Sequence, residues 1–252
     1  MRDMNKKDLL FGPAIDGVTE ADYAQMMPGV LAMAKGMEMC LHQGICILDC
    51  HKQEIMCISC HWANFFNVGK EFFNISENVF DSIECTDVDF HATAMKEIMN
   101  FYARLPENER LDYVSSFPLK TMIGAETIQL HHRLAPIALS HTGKIWLVLC
   151  TSFPATRNVK RIVYMQNKGT GARLKLNMRT HCWEKDLEHL YGTKEKKILT
   201  LAVQGLSIDE IANVMQMTKD SVKACRRRVF EQMRVRSMQE AITYTMNHNS
   251  IK

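Results

Sequence analysis

The chain has 252 residues, 46% of them hydrophobic and 23% charged, with a formal net charge of +3. That length suits one large domain or two ordinary ones, and the composition is that of a globular chain. No apolar run of roughly 18 residues is present to span a bilayer, which argues against a membrane partner. The opening stretch, MRDMNKKDLLFGPAIDG, has neither the apolar core nor the cleavage site of an export signal, so a cytoplasmic location is expected. The nine cysteines are then expected to be reduced thiols. The small net charge conceals an asymmetry. Residues 1–156 carry 12 basic against 19 acidic side chains, residues 157–189 carry 8 against 3, and residues 190–252 carry 11 against 6. An acidic first part and a basic last part point to two domains, the second with an anionic partner.

In chain order, residues 1–39 form an extension. Its segment EADYAQMMPGVLAMAKGMEMCLHQ is apolar at helical spacing and rich in Met, so it predicts a helix that packs on a sheet or pairs two copies of the chain. Residues 40–182 follow as a second region. GICILDC (Gly44–Cys50) and EIMCIS (Glu54–Ser59) are β-type runs joined by the turn-like HKQ, which predicts an antiparallel hairpin. HATAMKEIMNFYARL (His91–Leu105) reads as a helix stopped by Pro106. Four strand-like segments come next: DYVSSFPLK, ETIQLHHRLAPIAL, KIWLVLCTSF and VKRIVYMQN. GARLKLNM then pairs back on the last of them through the Gly-rich turn KGTG. Two strands, a helical middle and several antiparallel strands make an α+β pattern.

Several residues here invite a chemical reading. Cys57-Ile-Ser-Cys60-His61 has the C-x-x-C-H pattern that attaches c-type haem. Covalent attachment needs an exported chain, so the motif reads instead as the end of a sheet strand. His91, His131 and His132 are candidate haem or metal ligands. However, adjacent histidines on a strand face opposite ways, and no common coordinating spacing is present. Cys46, Cys50 and Cys150 lie in strand-like runs and read as small core residues. Asp49 ends a strand as a phosphoacceptor would, but the repeated βα units of a receiver are missing. No G-x-S-x-G, Gly-rich phosphate loop or H-E-x-x-H occurs, so no enzymatic activity is expected.

Residues 183–190, WEKDLEHL, read as a linker, and residues 191–252 form the last domain. TKEKKILTLAVQG predicts a helix closed by Gly205. Ser207 and Glu210 form a capping box for a second helix, whose apolar stripe is Ile208, Ile211, Ala212 and Met215. Thr218 caps a third helix, KDSVKACRRRVFEQM, and Ser237 with Glu240 caps a fourth. At about 100° per residue, Val222, Cys225, Val229 and Met233 share the core face of the third helix. Lys219, Lys223 and Arg227 project together from another face, Arg226 flanks the core edge, and Arg228 lies on the far side. A capped pair of helices with a tight link and a cationic outward row is the layout of a helix-turn-helix.

The residues that carry this layout resemble the LuxR/FixJ/NarL-type helix-turn-helix without gaps. KEKKIL…QGLSIDEIA is similar to that family's REREVL…QGLSNKEIA, and MQMTKDSVKACRRRVFEQMRVRSMQEAI to its LGISEKTVKNHRSNILRKLGVRNRTEAV. The resemblance implies a transcriptional regulator that binds operator DNA in the major groove. On it, the DNA-facing positions are Lys223, Ala224 and Arg227, and the wider cationic set adds Lys219, Arg226 and Arg228. Tyr191-Gly192 stands where the family has Leu-Thr, which alters the first cap. The order of elements in residues 40–182 resembles a PAS sensor domain, and the whole chain resembles PAS–LuxR regulators of Bacteroidetes. That resemblance implies a signal-sensing or dimerising domain with a small apolar cavity for an unspecified ligand. No cofactor is implied. Double-stranded DNA, a second copy of the chain and RNA polymerase are the implied partners, in the nucleoid. Two other readings stay open: a haem- or metal-dependent redox sensor, and a protein-interaction module that recruits a transcription partner.

Overall fold

The computed structural model describes residues 11–41, 43–59, 84–85, 87–123, 126–155, 161–186, 192–233 and 235–242. It divides into two compact units, Met1–Lys185 and Asp186–Lys252. The first is α+β, as expected. It starts with helix α1 (Glu20–Cys40), whose N-terminus is closed by a capping box. There the Thr19 amide donates to Asp22 and the Asp22 amide to the Thr19 hydroxyl, which satisfies two donors that a helix start leaves open. The hairpin follows as β1 (Gly44–Asp49) and β2 (Glu54–Ile58). Its turn places Gln53 at a φ of 54°. Then come β3 (Glu84–Cys85), α2 (Val88–Arg104), a 3-10 turn (Glu107–Asp112), β4 (Tyr113–Ile123), β5 (Glu126–Leu139), β6 (Ile145–Pro154), β7 (Tyr164–Asn167), β8 (Arg173–Asn177) and β9 (Cys182–Lys185).

All paired strands are antiparallel, in the order β2-β1-β6-β5-β4-β7-β8-β9, with β3 added to β4. The chain thus returns its closing strands to the opening hairpin and makes β1 and β6 neighbours. This arrangement explains why GICILD carries apolar residues on both sides. Cys46 and Leu48 pack with Ala94, Met95 and Ile98 of α2. Ile47 packs with Tyr23, Val30 and Ala34 of α1. The two helices therefore cover opposite faces of the sheet, and from Ile45 to Asp49 every β1 residue is buried. A bulge in β6, where the β5 partner steps from Leu147 to Ile145, sends both Trp146 and Leu147 to the α1 face. The Trp146 ring meets Tyr23 edge-on at 5.1 Å.

The one carboxylate in this buried strand is fully partnered. Asp49 accepts hydrogen bonds from the Tyr23 hydroxyl at 2.6 Å and from the amides of His51 and Lys52 at 2.8 and 3.1 Å. The Lys52 ammonium sits 4.0 Å from the centroid of the Tyr23 ring. Burial, and then the Asp49 carboxylate, push the Tyr23 phenol well above its usual range, so it stays a donor.

Three expectations need adjustment. Residues 183–185, read from sequence as the start of a linker, belong to β9, which pairs with β8. Only one large apolar residue, Trp183, marks that strand, and it is held by the edge of Phe101 at 5.3 Å. Within Arg161–Asn167, the described part of VKRIVYMQN, the strand is Tyr164–Asn167, and its hairpin with β8 turns through Gly171 at a φ of 74°. In the C-x-x-C-H stretch, β2 ends at Ile58, and Cys60 and His61 lie outside the described residues.

Two outcomes follow from this packing. Asp49→Ala takes the acceptor from two turn amides and leaves the buried Tyr23 phenol only the 3.1 Å contact with His51 Nδ1, and it should cost about 3 kcal/mol, read as a lower midpoint in urea unfolding. His91 is 6% exposed beside Phe117, and burial first, then the His132 charge, lowers its pKa to about 3. An unfolded histidine takes its proton near pH 6.5. Stability should therefore fall as the pH drops from about 6.5 towards 3, because only the unfolded chain binds that proton. His91→Phe should flatten this fall, measured by unfolding across that range.

Candidate nucleic-acid interface

The second unit contains α3 (Thr193–Val203), α4 (Ile208–Met215) and α5 (Lys219–Met233), and a further helix starts at Met238. Two small apolar clusters fix them. Ile198 and Leu201 of α3 meet Ile211 and Ala212 of α4 with Val222 and Cys225 of α5. Leu199, Val229 and Met233 meet Val235 and Ala241. The four α5 positions expected in the core are all buried.

The links are short because each end is closed locally. Gly192 begins α3 with no side-chain cap, in keeping with the altered opening. Gly205 leaves α3 at a φ of 86°, which glycine adopts without steric penalty. Ser207 and Glu210 make the expected capping box on α4. The Ser207 amide and hydroxyl hold the Glu210 carboxyl below its usual range. Gln216 ends α4 in the left-handed region, and the Met217 amide reaches back to the Ala212 carbonyl at 2.9 Å. Two residues later Thr218 caps α5 by accepting from the Ser221 amide at 3.2 Å. At the next helix Ser237 accepts from the Glu240 amide at 3.1 Å, while Glu240 accepts from the Arg236 amide at 2.7 Å instead of that of Ser237.

With one face of α5 locked in the core, the cations divide into two groups. Lys219, Lys223 and Arg227 are exposed and lie along one row. Lys219 pairs with Asp209 of α4 at 2.7 Å and Lys223 with Asp220 at 3.5 Å. These are solvent-facing ion pairs, each worth only about 0–1 kcal/mol, so a phosphate can replace the carboxylates. Ala224 is half-buried beside the row. Arg226 and Arg228 take other directions. Arg226 lies 5.7 Å from the centroid of the Phe230 ring. Arg228 turns to α3, 3.5 Å from Glu195, and donates to Cys225 Sγ at 3.1 Å. Helical spacing sets Arg226 and Arg228 apart from the row, as found, but it does not give the partners that hold them. It also hides both cross-element pairs, Asp209–Lys219 and Glu195–Arg228, because their partners are 10 and 33 residues apart.

In the first unit, His131 stacks on Phe153 on one sheet face, and His132 stacks on Phe117 on the other. This matches the expected opposition of the two rings. Among the described residues no group of three or more His, Cys, Asp or Glu side chains is arranged to hold a metal ion. The expected cavity between helix and sheet is a void of about 20 Å³ among the described residues at α2, lined by Leu48, Cys50, Met95 and Ile98. That space is about the size of one water molecule, but its apolar lining offers no partners to hold one. A wider open groove of about 950 Å³ lies beside α2, between residues 12–15 and the β5–β6 turn. Lys96, Arg110 and Lys144 are among the side chains that line it.

No curated protein matches the chain. Among solved structures, the phage VqmA–DPO complex is similar over 92% of this chain and 90% of that one, at 11% identity and a TM-score of 0.34. The Vibrio cholerae VqmA dimer without target DNA is similar over 90% of each, at 10% identity and a TM-score of 0.31. A VqmA–ligand–DNA complex from the same source is similar over 89% of each, at 9% identity and a TM-score of 0.31. Residues 192–245 match the family described as bacterial regulatory proteins, luxR family. The capped α4–α5 pair and its cationic row thus belong to a LuxR-type regulatory domain.

Proposed function

We propose that the chain is a transcriptional regulator whose α5 enters the major groove of operator DNA, while a PAS-like first unit senses a signal or holds two copies together. One observation carries this reading: the exposed Lys219–Lys223–Arg227 row stands on a helix whose core face is fixed by Val222, Cys225, Val229 and Met233. A helix held in this way after a tight link presents its first turns to base edges and its cations to phosphates. Lys223, Ala224 and Arg227 face the groove, with Lys219 at its entrance. Arg226 and Arg228 hold the helix instead, through Phe230 and Glu195. The match to luxR-family regulators over residues 192–245 supports the DNA-binding part. The opening hairpin, the helical middle and the closing antiparallel strands, with β1 brought beside β6, support the PAS-like reading of the first unit. The proposed setting is the cytoplasm, at the nucleoid, where two copies read paired half-sites and RNA polymerase is a further partner.

Genome-wide binding-site mapping supplies the test fragment, and fluorescence anisotropy reads the affinity. Lys223→Ala and Arg227→Ala should each weaken binding and lower the slope of log K against log salt by about 1. An unchanged affinity at moderate salt for both variants rejects the placement of α5. Arg228→Ala should leave that slope as in the wild type and lower the thermal midpoint of the domain, because it loses its hold on α3.

A further inference from the structure

The core of the first unit contains a polar group of side chains that DNA binding does not use. Cys150 of β6 faces α2 at 5% exposure, and Cys46 of β1, at 2%, is its register partner. His132 and Ser152, at 6% and 3%, complete the group. Ser152 Oγ lies 2.8 Å from His132 Nδ1, and Cys150 Sγ is 3.7 Å from the same nitrogen and 3.8 Å from Ser152 Oγ.

The ladder shows which of these pairs stand close. The Ala155 amide donates to the Gln129 carbonyl, so odd-numbered β6 residues bond to β5 and even-numbered ones to β1. His132 and Ser152 are then a non-hydrogen-bonded pair across β5–β6, the closer kind, which agrees with their 2.8 Å contact. Cys46 and Cys150 are a hydrogen-bonded pair across β1–β6, with Cα atoms about 5.5 Å apart. A disulfide spans about 4.4–6.8 Å between Cα atoms, so the two sulfurs can bond with a small movement of the strands. The contact with the Cys46 thiol, then those with His132 and Ser152, favour the Cys150 thiolate against the opposing effect of burial.

We propose that Cys46 and Cys150 are a redox pair, converted reversibly by a small uncharged peroxide into a disulfide across the two central strands. The Cys150 sulfur attacks the peroxide O–O bond, becomes a sulfenic acid and releases water when hydrogen peroxide is the oxidant. The Cys46 sulfur then attacks the sulfenic sulfur, the S–S bond forms, and a second water leaves with the Cys46 proton. Two thiols lose two electrons, and the peroxide is reduced to two waters. His132, through Nδ1, stabilises the attacking thiolate. Burial selects the oxidant, because a small neutral peroxide enters a dry core while a bulky charged disulfide does not. Since a hydrogen-bonded pair holds its side chains further apart than the other kind, the bond draws β1 and β6 together, and that strain makes it easier to reduce.

The test uses the full chain. It is exposed to millimolar hydrogen peroxide or to glutathione disulfide, alkylated while unfolding, digested without reduction and analysed by mass spectrometry. Hydrogen peroxide should yield a cross-linked pair of peptides containing Cys46 and Cys150, lost on treatment with dithiothreitol. Glutathione disulfide should modify the exposed Cys40 and Cys182 and leave the core pair as thiols. The proposal is overturned if peroxide oxidises Cys40 and Cys182 while Cys46 and Cys150 are still alkylated as in untreated protein. His132→Gln should slow the cross-link about tenfold, and an unchanged rate removes His132 from the mechanism.

Discussion

A carboxylate with no exposed surface is tolerable only when its hydrogen bonds replace those of water. Asp49 meets that condition with three donors from two sources: the phenol of α1, and the two amides of the turn that follows β1. The constraint runs both ways. The turn must curl back for its amides to reach the carboxylate, and α1 must lie across the sheet for Tyr23 to reach it. Trp146, released by the β6 bulge, then packs against the Tyr23 ring edge-on. The geometry of the α1 layer follows from this one buried charge, and the apolar contacts of Val30 and Ala34 fill in around it.

The same strand shows how the two faces of the sheet come to differ. The α1 face of β1 carries Ile47 and Asp49, while the α2 face carries Cys46 and Leu48. On the α2 side, a histidine, a serine and two thiols stand together between larger apolar groups. Placing this group in a dry layer is costly unless its members bond to each other, and the 2.8 Å contact between Ser152 and His132 is the bond that does so. Leucine or valine could fill the same volume without needing partners. The polar group is therefore a local choice of chemistry over packing, and the sheet accommodates it because β5, β6 and β1 hold all four residues on paired positions.

How much is legible in the sequence differs between the units, for physical reasons. The C-terminal helices are readable because their signals are local. Ser207 with Glu210 and Thr218 with Ser221 act within one helical turn, and the apolar spacing of Val222, Cys225, Val229 and Met233 gives the buried face directly. The first hairpin and β5 are readable from their β-type runs and bounding turns. β9 is not, because a four-residue strand with one tryptophan has no period to detect, and what holds it is Phe101, far away in sequence. The partner of Arg228 is hidden for a similar reason. A wheel gives the angle at which a side chain leaves the helix, but Arg228 is long enough to bend back to Glu195. The phenol that holds Asp49 falls in the same class, since Tyr23 lies 26 residues away.

The carboxylates beside the cationic row bear on how that row would meet DNA. Asp209 and Asp220 hold Lys219 and Lys223 in exposed pairs, so each ammonium already has a weak anionic partner. A phosphate offers the same charge, and binding to it also releases counterions condensed on the duplex. The exchange favours DNA only modestly at either lysine, because one exposed ion pair replaces another of similar strength. Phosphate pairing of this kind accumulates along the backbone without regard to sequence. On the proposed placement the two acidic residues would thus trim the sequence-independent part of binding more than the base-reading part. Arg227 stands in the same row and, among the described residues, forms no ion pair with a carboxylate. On the proposed placement it would therefore contribute more phosphate attraction per charge than either lysine, from the side of α5 opposite the core that Val229 and Met233 anchor.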